Sequence, residues 1–328
     1  MRFFKFAFHN DYQLKQLEFF ESKIMSAIKT KIIKTNVNGI NTFSTTDATK
    51  PPILLLHGAG IWVKNVDFLS QYYQVHFIDI LGFGLSKPKK NCLNPLGKRP
   101  QDIQNWWVES IEDWLKHTGL EKKKFSLVGH SMGGFIARMS YALKNPKNIE
   151  KLVLLSPIGL NGFNVDKIEK NYENRKLIIK NFLIQKFWNF TPQRILPLIG
   201  LERLKLMIAK TRRGVVSAFP FKDDTVLDYI VHINRSGLIT GPVAFTRLLN
   251  PSEGWLLPLS PKLKYFNPDF EVSICYGDRD WMDATYAEAF DLCNKIICQE
   301  NMGIKIKSCE SLEEMNHLKR SIGGISIS

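Results

Sequence analysis

The sequence predicts an α/β protein, a mostly parallel sheet flanked by helices and interrupted by an inserted helical cap. Three observations carry that reading. Short continuous apolar runs, the kind buried on both faces of a sheet, alternate with helical patterns. A Gly-rich turn follows the third run and opens into a helix, and a long helical block separates the last run from the others.

Each element follows from local pattern. Over residues 12 to 29, Leu14, Leu17, Phe20, Ile24 and Ile28 recur at steps of three and four among lysines, which predicts an amphipathic helix. After a polar stretch at 36 to 50, Pro51-Pro52-Ile53-Leu54-Leu55-Leu56-His57-Gly58 is an apolar run closed by Gly, hence a buried strand. Gln74-Val75-His76-Phe77-Ile78-Asp79, Phe125-Ser126-Leu127-Val128-Gly129 and Leu152-Val153-Leu154-Leu155 are three more, with helical patterns at 101 to 117 and 135 to 143. That alternation implies parallel strands joined by right-handed crossovers. From 157 to 258 the periodicity is helical but broken, with several Trp and Phe and no clear strand. Phe270-Glu271-Val272-Ser273-Ile274-Cys275-Tyr276-Gly277 then restores the sheet. The expected division is an N-terminal helix and lead-in (1–50), a first core part (51–156), a cap (157–258) and a last core part (259–328).

Composition narrows the function classes. With 44% hydrophobic and 23% charged residues, 21 Gly and 15 Pro in 328, the chain is neither disordered nor collagen-like. Its 45 Lys and Arg exceed 31 Asp and Glu by 14, which favours an anionic partner. The cap holds 15 cations against 8 acids, and residues 1 to 35 hold 7 against 3, so the excess concentrates where a peripheral surface would be met. No nucleic-acid-binding module is present, and a membrane surface is the expected partner. Cys92, Cys275, Cys293, Cys298 and Cys309 are odd in number and lack metal-ligand spacing; a reducing compartment is expected, with no metal or cofactor. Phe3, Phe4, Phe6 and Phe8 are broken by Lys5 and followed by no cleavage site, so no secretory signal is read, and no run is long enough to cross a bilayer.

The chemistry centres on Gly129-His130-Ser131-Met132-Gly133 between a strand and a helix, where Ser131 becomes a nucleophile on a strained turn. Gly129 and Gly133 are needed there because side chains would collide across the turn. The helix start adds a positive dipole and the Met132 N–H as an oxyanion donor. His57-Gly58-Ala59-Gly60, after the first buried strand, supplies a second donor from Ala59, while His57 reads as a structural buttress of that loop. A serine nucleophile needs a base and an acid to orient it, in the order Ser, acid, His. After the restored strand stand Asp278, Asp280 and Asp283; Asp280 is the first choice and Asp283 the alternative, with Asp278 serving the turn. Six of seven histidines precede Asp280, leaving His317 as the base, within residues 312 to 320 that read as a polar helix.

With these residues in place the chain resembles an α/β-hydrolase-fold lipid enzyme. More closely it resembles the group containing the lysophospholipase-like N-acylphosphatidylethanolamine lipases, the lipid-droplet lipase coactivator and the mitochondrial cardiolipin-specific deacylase. Matching segments include Leu54-Leu55-Leu56-His57-Gly58, Asp79 with Leu81-Gly82-Phe83-Gly84-Leu85-Ser86-Lys87-Pro88, Val128-Gly129-His130-Ser131-Met132-Gly133-Gly134 and Leu155-Ser156-Pro157-Ile158-Gly159. Tyr229-Ile230-Val231-His232 and Gly277-Asp278-Arg279-Asp280-Trp281-Met282-Asp283 extend the likeness, which covers about residues 15 to 285. The coactivator branch carries Asn in place of the nucleophile; with Ser131 this chain resembles the hydrolytic branch. The group also carries a Gly-His-x-x-x-x-Asp segment after its last strand, which nothing after His317 matches. The base is therefore either His317, reached from a strand near 304 to 307, or a residue beyond Ser328.

The resemblance implies a serine carboxylester hydrolase of lipids, of phospholipase, lysophospholipase or N-acyl-phospholipid lipase type. The alternatives are a lysophospholipid acyltransferase or an inactive lipid-binding regulator of a lipase. Phe182, Phe187, Trp188, Phe190 and Trp255 would supply an acyl-chain pocket in the cap. The expected partners are acyl lipid and a membrane or droplet surface, without nucleic acid. The expected location is cytoplasmic and peripherally membrane-associated; a mitochondrial address is the other reading, though Asp11, Glu18 and Glu21 fit a transit peptide poorly.

Overall fold

The structure, a computed structural model, describes residues 11–58, 62–87, 100–137, 146–158, 200–211, 221, 223–235, 240–250, 254–255, 270–277, 295–300 and 303–306. Along the chain these form α1 (Asp11–Met25), β1 (Ile32–Val37), β2 (Ile40–Thr45), β3 (Pro52–Leu56), α2 (Val63–Leu69) and β4 (Gln74–Ile78). Then come α3 (Pro100–Thr118), β5 (Phe125–His130), α4 (Met132–Phe135) and β6 (Ile149–Leu155). The cap region holds α5 (Leu201–Thr211), α6 (Thr225–Arg235), α7 (Thr240–Leu248), β7 (Leu249–Asn250) and β8 (Gly254–Trp255), followed by β9 (Glu271–Gly277), β10 (Lys295–Glu300) and β11 (Gly303–Ile306). The chain divides into a sheet unit of residues 28–78, 104–161 and 259–328, and a helical unit of residues 1–27, 79–103 and 162–258.

In the sheet unit, nine described strands form one sheet in the order β1-β2-β4-β3-β5-β6-β9-β10-β11. The six from β4 to β10 run parallel, and the chain reverses only at β1–β2, β2–β4 and β10–β11. The apolar runs are buried as their composition requires: Leu54, Leu55, Leu56, Leu127, Leu152 and Leu154 lose all exposure. Burial of each such side chain contributes roughly 2 kcal/mol. In α3, Trp107, Ile111, Trp114 and Leu115 fall on one stripe and are buried, and the Trp114 Nε1–H donates to Thr42 Oγ1 at 2.9 Å.

The polar stretch at 36 to 50 turns out to contain a hairpin. Asn38 (φ 51°) and Gly39 (φ 92°) both take positive φ, the combination that a two-residue turn between right-twisted strands needs. The hairpin's inner strand is buried, with Phe43 stacked on Phe77 at 4.9 Å in direct register, whereas β1 is an edge strand whose middle residues are exposed. β10 is likewise an addition to the strands read from sequence, and the cap, expected without strands, includes the short β7–β8 pair. The strand expected near 304 to 307 is β11. The first helix ends at Met25, short of Lys29, because the Lys29 and Thr30 N–H groups leave the helical pattern to donate to the Asp67 carboxylate.

In the helical unit, α1 and α5 both pack on α6. Leu204 and Ile208 of α5 meet Leu227 and Val231 of α6. On the α1 side, Phe20 stacks on His232 at 5.3 Å, and His232 Nδ1 is 2.9 Å from Gln13 Oε1. Among the described residues no helix is long and apolar enough to cross a membrane.

His76, paired with Ser44 across β2–β4, is buried beside Trp114, and that burial pushes its imidazole down to about 4, with Lys123 adding to the shift. The folded state thus holds His76 neutral where an unfolded histidine, titrating near 6.5, already binds a proton. Its contribution is full above that unfolded value and is lost as pH falls from about 6.5 toward 4. Wild type should therefore lose roughly 3 kcal/mol relative to His76→Gln between pH 7 and pH 4 in denaturant melts. Parallel pH profiles of the two proteins would refute the assignment.

Candidate active site

The C-terminal ends of parallel strands share one edge of the sheet, and three of the connections leaving that edge meet at Ser131. β5 delivers Ser131, which takes φ 53° and ψ −113°, a conformation closed to most L-residues. Such strain costs on the order of 1–3 kcal/mol and persists only where the surroundings hold it. Here both backbone polar groups are engaged. The Ser131 N–H donates to the Leu155 carbonyl at 2.9 Å, and the Ser131 carbonyl accepts from Phe135 N–H at 3.1 Å and Ile158 N–H at 3.3 Å.

The glycines make this geometry attainable. A Cβ on Gly129 would lie 2.4 Å from the Gly133 carbonyl oxygen, and one on Gly133 would lie 2.2 Å from that of Leu56. Gly58, after β3, approaches so closely that its Cβ would lie 2.6 Å from Ser131 Cβ. Ser131 is half-buried, leaving its hydroxyl at the sheet's edge, and α4 starts directly at Met132. The Met132 N–H is a first-turn donor, for which the helix itself supplies no acceptor.

The residues expected to complete this site fall differently. Ser131 and Met132 stand together as described. Ala59, Asp280, Asp283 and His317 lie outside the described residues, as do Phe182, Phe187, Trp188 and Phe190. β9 ends at Gly277, three residues before Asp280 in sequence, and pairs in parallel with β6, whose following turn bonds to Ser131. His57 Nδ1 lies 2.8 Å from the Gly58 carbonyl, holding its own loop. Among the described residues no group of His, Cys, Asp and Glu could hold a metal ion.

Two contributors carried no sequence signal of their role. Ser156 adopts φ 42°, is buried, and donates its N–H to the Cys275 carbonyl at 2.7 Å, tying the turn after β6 to β9. A serine gives no warning of positive φ, since only glycine takes it freely. Trp62 is buried, its ring nearly perpendicular to that of His130 with centroids 6.4 Å apart, beside the nucleophile.

A family model described as the alpha/beta hydrolase fold matches residues 51–236. Among curated relatives, abhydrolase domain-containing protein abhd-5.2 of Caenorhabditis elegans is 33% identical over 71% of this chain and 50% of its own length. The human 1-acylglycerol-3-phosphate O-acyltransferase ABHD5 is 30% identical over 74% of this chain and 67% of its own. The human (lyso)-N-acylphosphatidylethanolamine lipase is 26% identical over 94% and 90%. The chain thus spans only half the length of the first of these relatives. Of the solved structures, a bacterial membrane phospholipase A superposes with a TM-score of 0.58 at 17% identity, covering 88% of this chain and 83% of that one; the likeness is one of fold.

Gly133→Ala should lower stability by roughly 3 kcal/mol, because its methyl would meet the Leu56 backbone, which cannot rotate aside. Gly119→Ala, at φ 73° with nothing within 4 Å, should cost only about 1 kcal/mol. Urea midpoints of the two variants test the difference; equal losses would show that the turn at Ser131 is not crowded.

Proposed function

The chain belongs to the alpha/beta hydrolase fold family, and we propose that it is a serine carboxylester hydrolase of acyl lipids working through an acyl-enzyme. The observation that carries the proposal is Ser131, a hydroxyl presented on a strained turn that three backbone hydrogen bonds hold in place. Its geometry is costly for a merely structural serine and useful for a nucleophile.

In this reading His317 takes the proton from Ser131 Oγ as that oxygen attacks the ester carbonyl, and Asp280 orients the histidine. Negative charge on the carbonyl oxygen is met by the Met132 and Ala59 N–H groups. The same histidine then protonates the leaving alkoxide. Water, deprotonated by the histidine in turn, attacks the acyl-enzyme and releases a fatty acid. The cap aromatics would bury the acyl chain, for which an apolar lining is the physical requirement. The name of the human lipase relative supports an acyl-lipid substrate; in this reading that substrate is met at a membrane or droplet surface from the cytoplasmic side.

A second reading is favoured by the relatives named as acyltransferases at 30% identity. There a lysophospholipid hydroxyl replaces water at the second step, and a diacyl product replaces free fatty acid. Supplying the purified protein with acyl donor and lysophospholipid separates the two by product.

Ser131→Ala should abolish fluorophosphonate labelling and lower ester turnover by roughly 10⁴-fold or more. Retained labelling or turnover would remove the proposal, and a lipid-dependent activity that survives the change would indicate a regulator instead. Asp280→Asn and His317→Ala should each cost on the order of 10³–10⁴-fold in kcat with the fold intact. Unchanged turnover in Asp280→Asn would transfer the acid role to Asp283, and in His317→Ala would exclude His317 as the base.

A further inference from the structure

Charge and exposed apolar surface coincide in one unit. The helical unit's three segments contain 24 Lys and Arg against 13 Asp and Glu, an excess of 11, which leaves only 3 of the chain's 14 to the sheet unit. Of seven large apolar side chains exposed among the described residues, five belong to this unit, on α1 or α5. A surface that only needed solubility would not gather apolar side chains where its cations are densest.

The two helices present different faces. On α1, the exposed Tyr12 and Phe19 are interleaved with Lys15 and Glu18, and the charges balance. On α5, Leu204 and Ile208 point inward to α6, and Lys205 is engaged by Asp228. That rotation turns Leu206 (72% exposed) and the adjacent Met207 (41%) outward. Arg203 and Lys210 share this outer face, with Glu202 the single acid on it. A helix with an apolar ridge flanked by cations suits the boundary between headgroups and acyl chains. Nucleic acid would match the cations but would gain nothing from Leu206 and Met207, and an uncharged surface would leave the cations unmatched.

We propose that the helical unit docks on an anionic phospholipid surface through the outer face of α5, Leu206 and Met207 entering the acyl boundary while Arg203 and Lys210 meet headgroup phosphates. This deepens the functional reading by naming the surface, and rests on that reading only for what the docking serves.

The test is co-sedimentation of the full chain with vesicles of phosphatidylcholine alone or mixed with phosphatidylserine. Wild type and Ser131→Ala should bind the mixed vesicles equally, so the docking stands or falls apart from the chemistry. Leu206→Ser with Met207→Ser should lower partitioning onto mixed vesicles roughly tenfold or more. Arg203→Glu with Lys210→Glu should lose a similar factor on mixed vesicles and little on neutral ones, and wild-type binding should weaken with salt. Ile33→Ser with Tyr72→Ser, exposed on the sheet unit, should bind as wild type. Unchanged thermal midpoints of every variant, and unchanged turnover of a soluble short-chain ester by all but Ser131→Ala, establish that they are folded. Wild-type binding by either α5 variant, or binding to duplex DNA without binding to vesicles, would overturn the proposal.

Discussion

Close backbone approach between the turns after β3 and β5 is the constraint on which the site depends. Gly133 lies against the Leu56 carbonyl, and Gly129 lies against Gly133 itself. Only with both side chains absent can the chain leave β5, reverse into α4 within one residue, and hold Ser131 at positive φ. Neighbouring strands supply the restoring force, since the Ser131 N–H bonds to β6 and its carbonyl to the turn beyond. The strain is therefore borne by the sheet, whose fully buried leucines provide the stability to carry it.

The parts of the fold that were legible in sequence are those whose signal is local. Leu54 to Leu56, Leu127 and Leu152 to Leu155 are apolar on both faces, and nothing but a buried strand suits so short a run. The glycines flanking Ser131 announced the turn because their need is steric and belongs to the backbone alone. The hairpin was hidden by composition: β2 includes Thr42 and Ser44, whose hydroxyls find Ile40, Trp114 and His76 partners that a sequence does not display. Asn38-Gly39 was a usable signal within it, since that pair favours the turn observed. β10 was hidden because Lys295, Gln299 and Glu300 dilute its apolar residues. Ser156 was beyond reach altogether, its positive φ being imposed by β6 and β9.

The two units divide the physical work. A nearly charge-balanced sheet buries a sheet's worth of apolar runs and keeps a strained serine in place; it has no need of a field. The helical unit concentrates positive charge, whose field reaches about one Debye length, roughly 8 Å in physiological salt. Under the proposed function the two properties serve different tasks, turnover at Ser131 and attraction of an anionic surface, and the charge excess is segregated into the helical unit's segments.

That segregation demands a helical unit with definite register, since an outer face is defined only if the inner one is. Apolar contact between α5 and α6 does not by itself set register, because leucine and isoleucine tolerate sliding. The polar groups on the α1 side are more exacting. Glu21, His232 and Tyr229 are buried, and burial first, then the nearby Asp79 and Glu21 carboxylates, pushes the Tyr229 hydroxyl well above its ordinary range. His232 requires its partner at one position: it meets Gln13 through a single ring nitrogen and stacks on Phe20 at 16° between planes. Misregister by one residue would bury His232 unpaired, a penalty of roughly 1–3 kcal/mol. At Gly241 the tolerance is equally narrow, since its N–H donates to the Gly82 carbonyl at 2.9 Å while any side chain there would strike the Phe83 ring. Polar specificity inside the unit, from His232 on the α1 side and from the Lys205–Asp228 ion pair between α5 and α6, is thus what lets α1 and α5 present the same outward residues in every molecule.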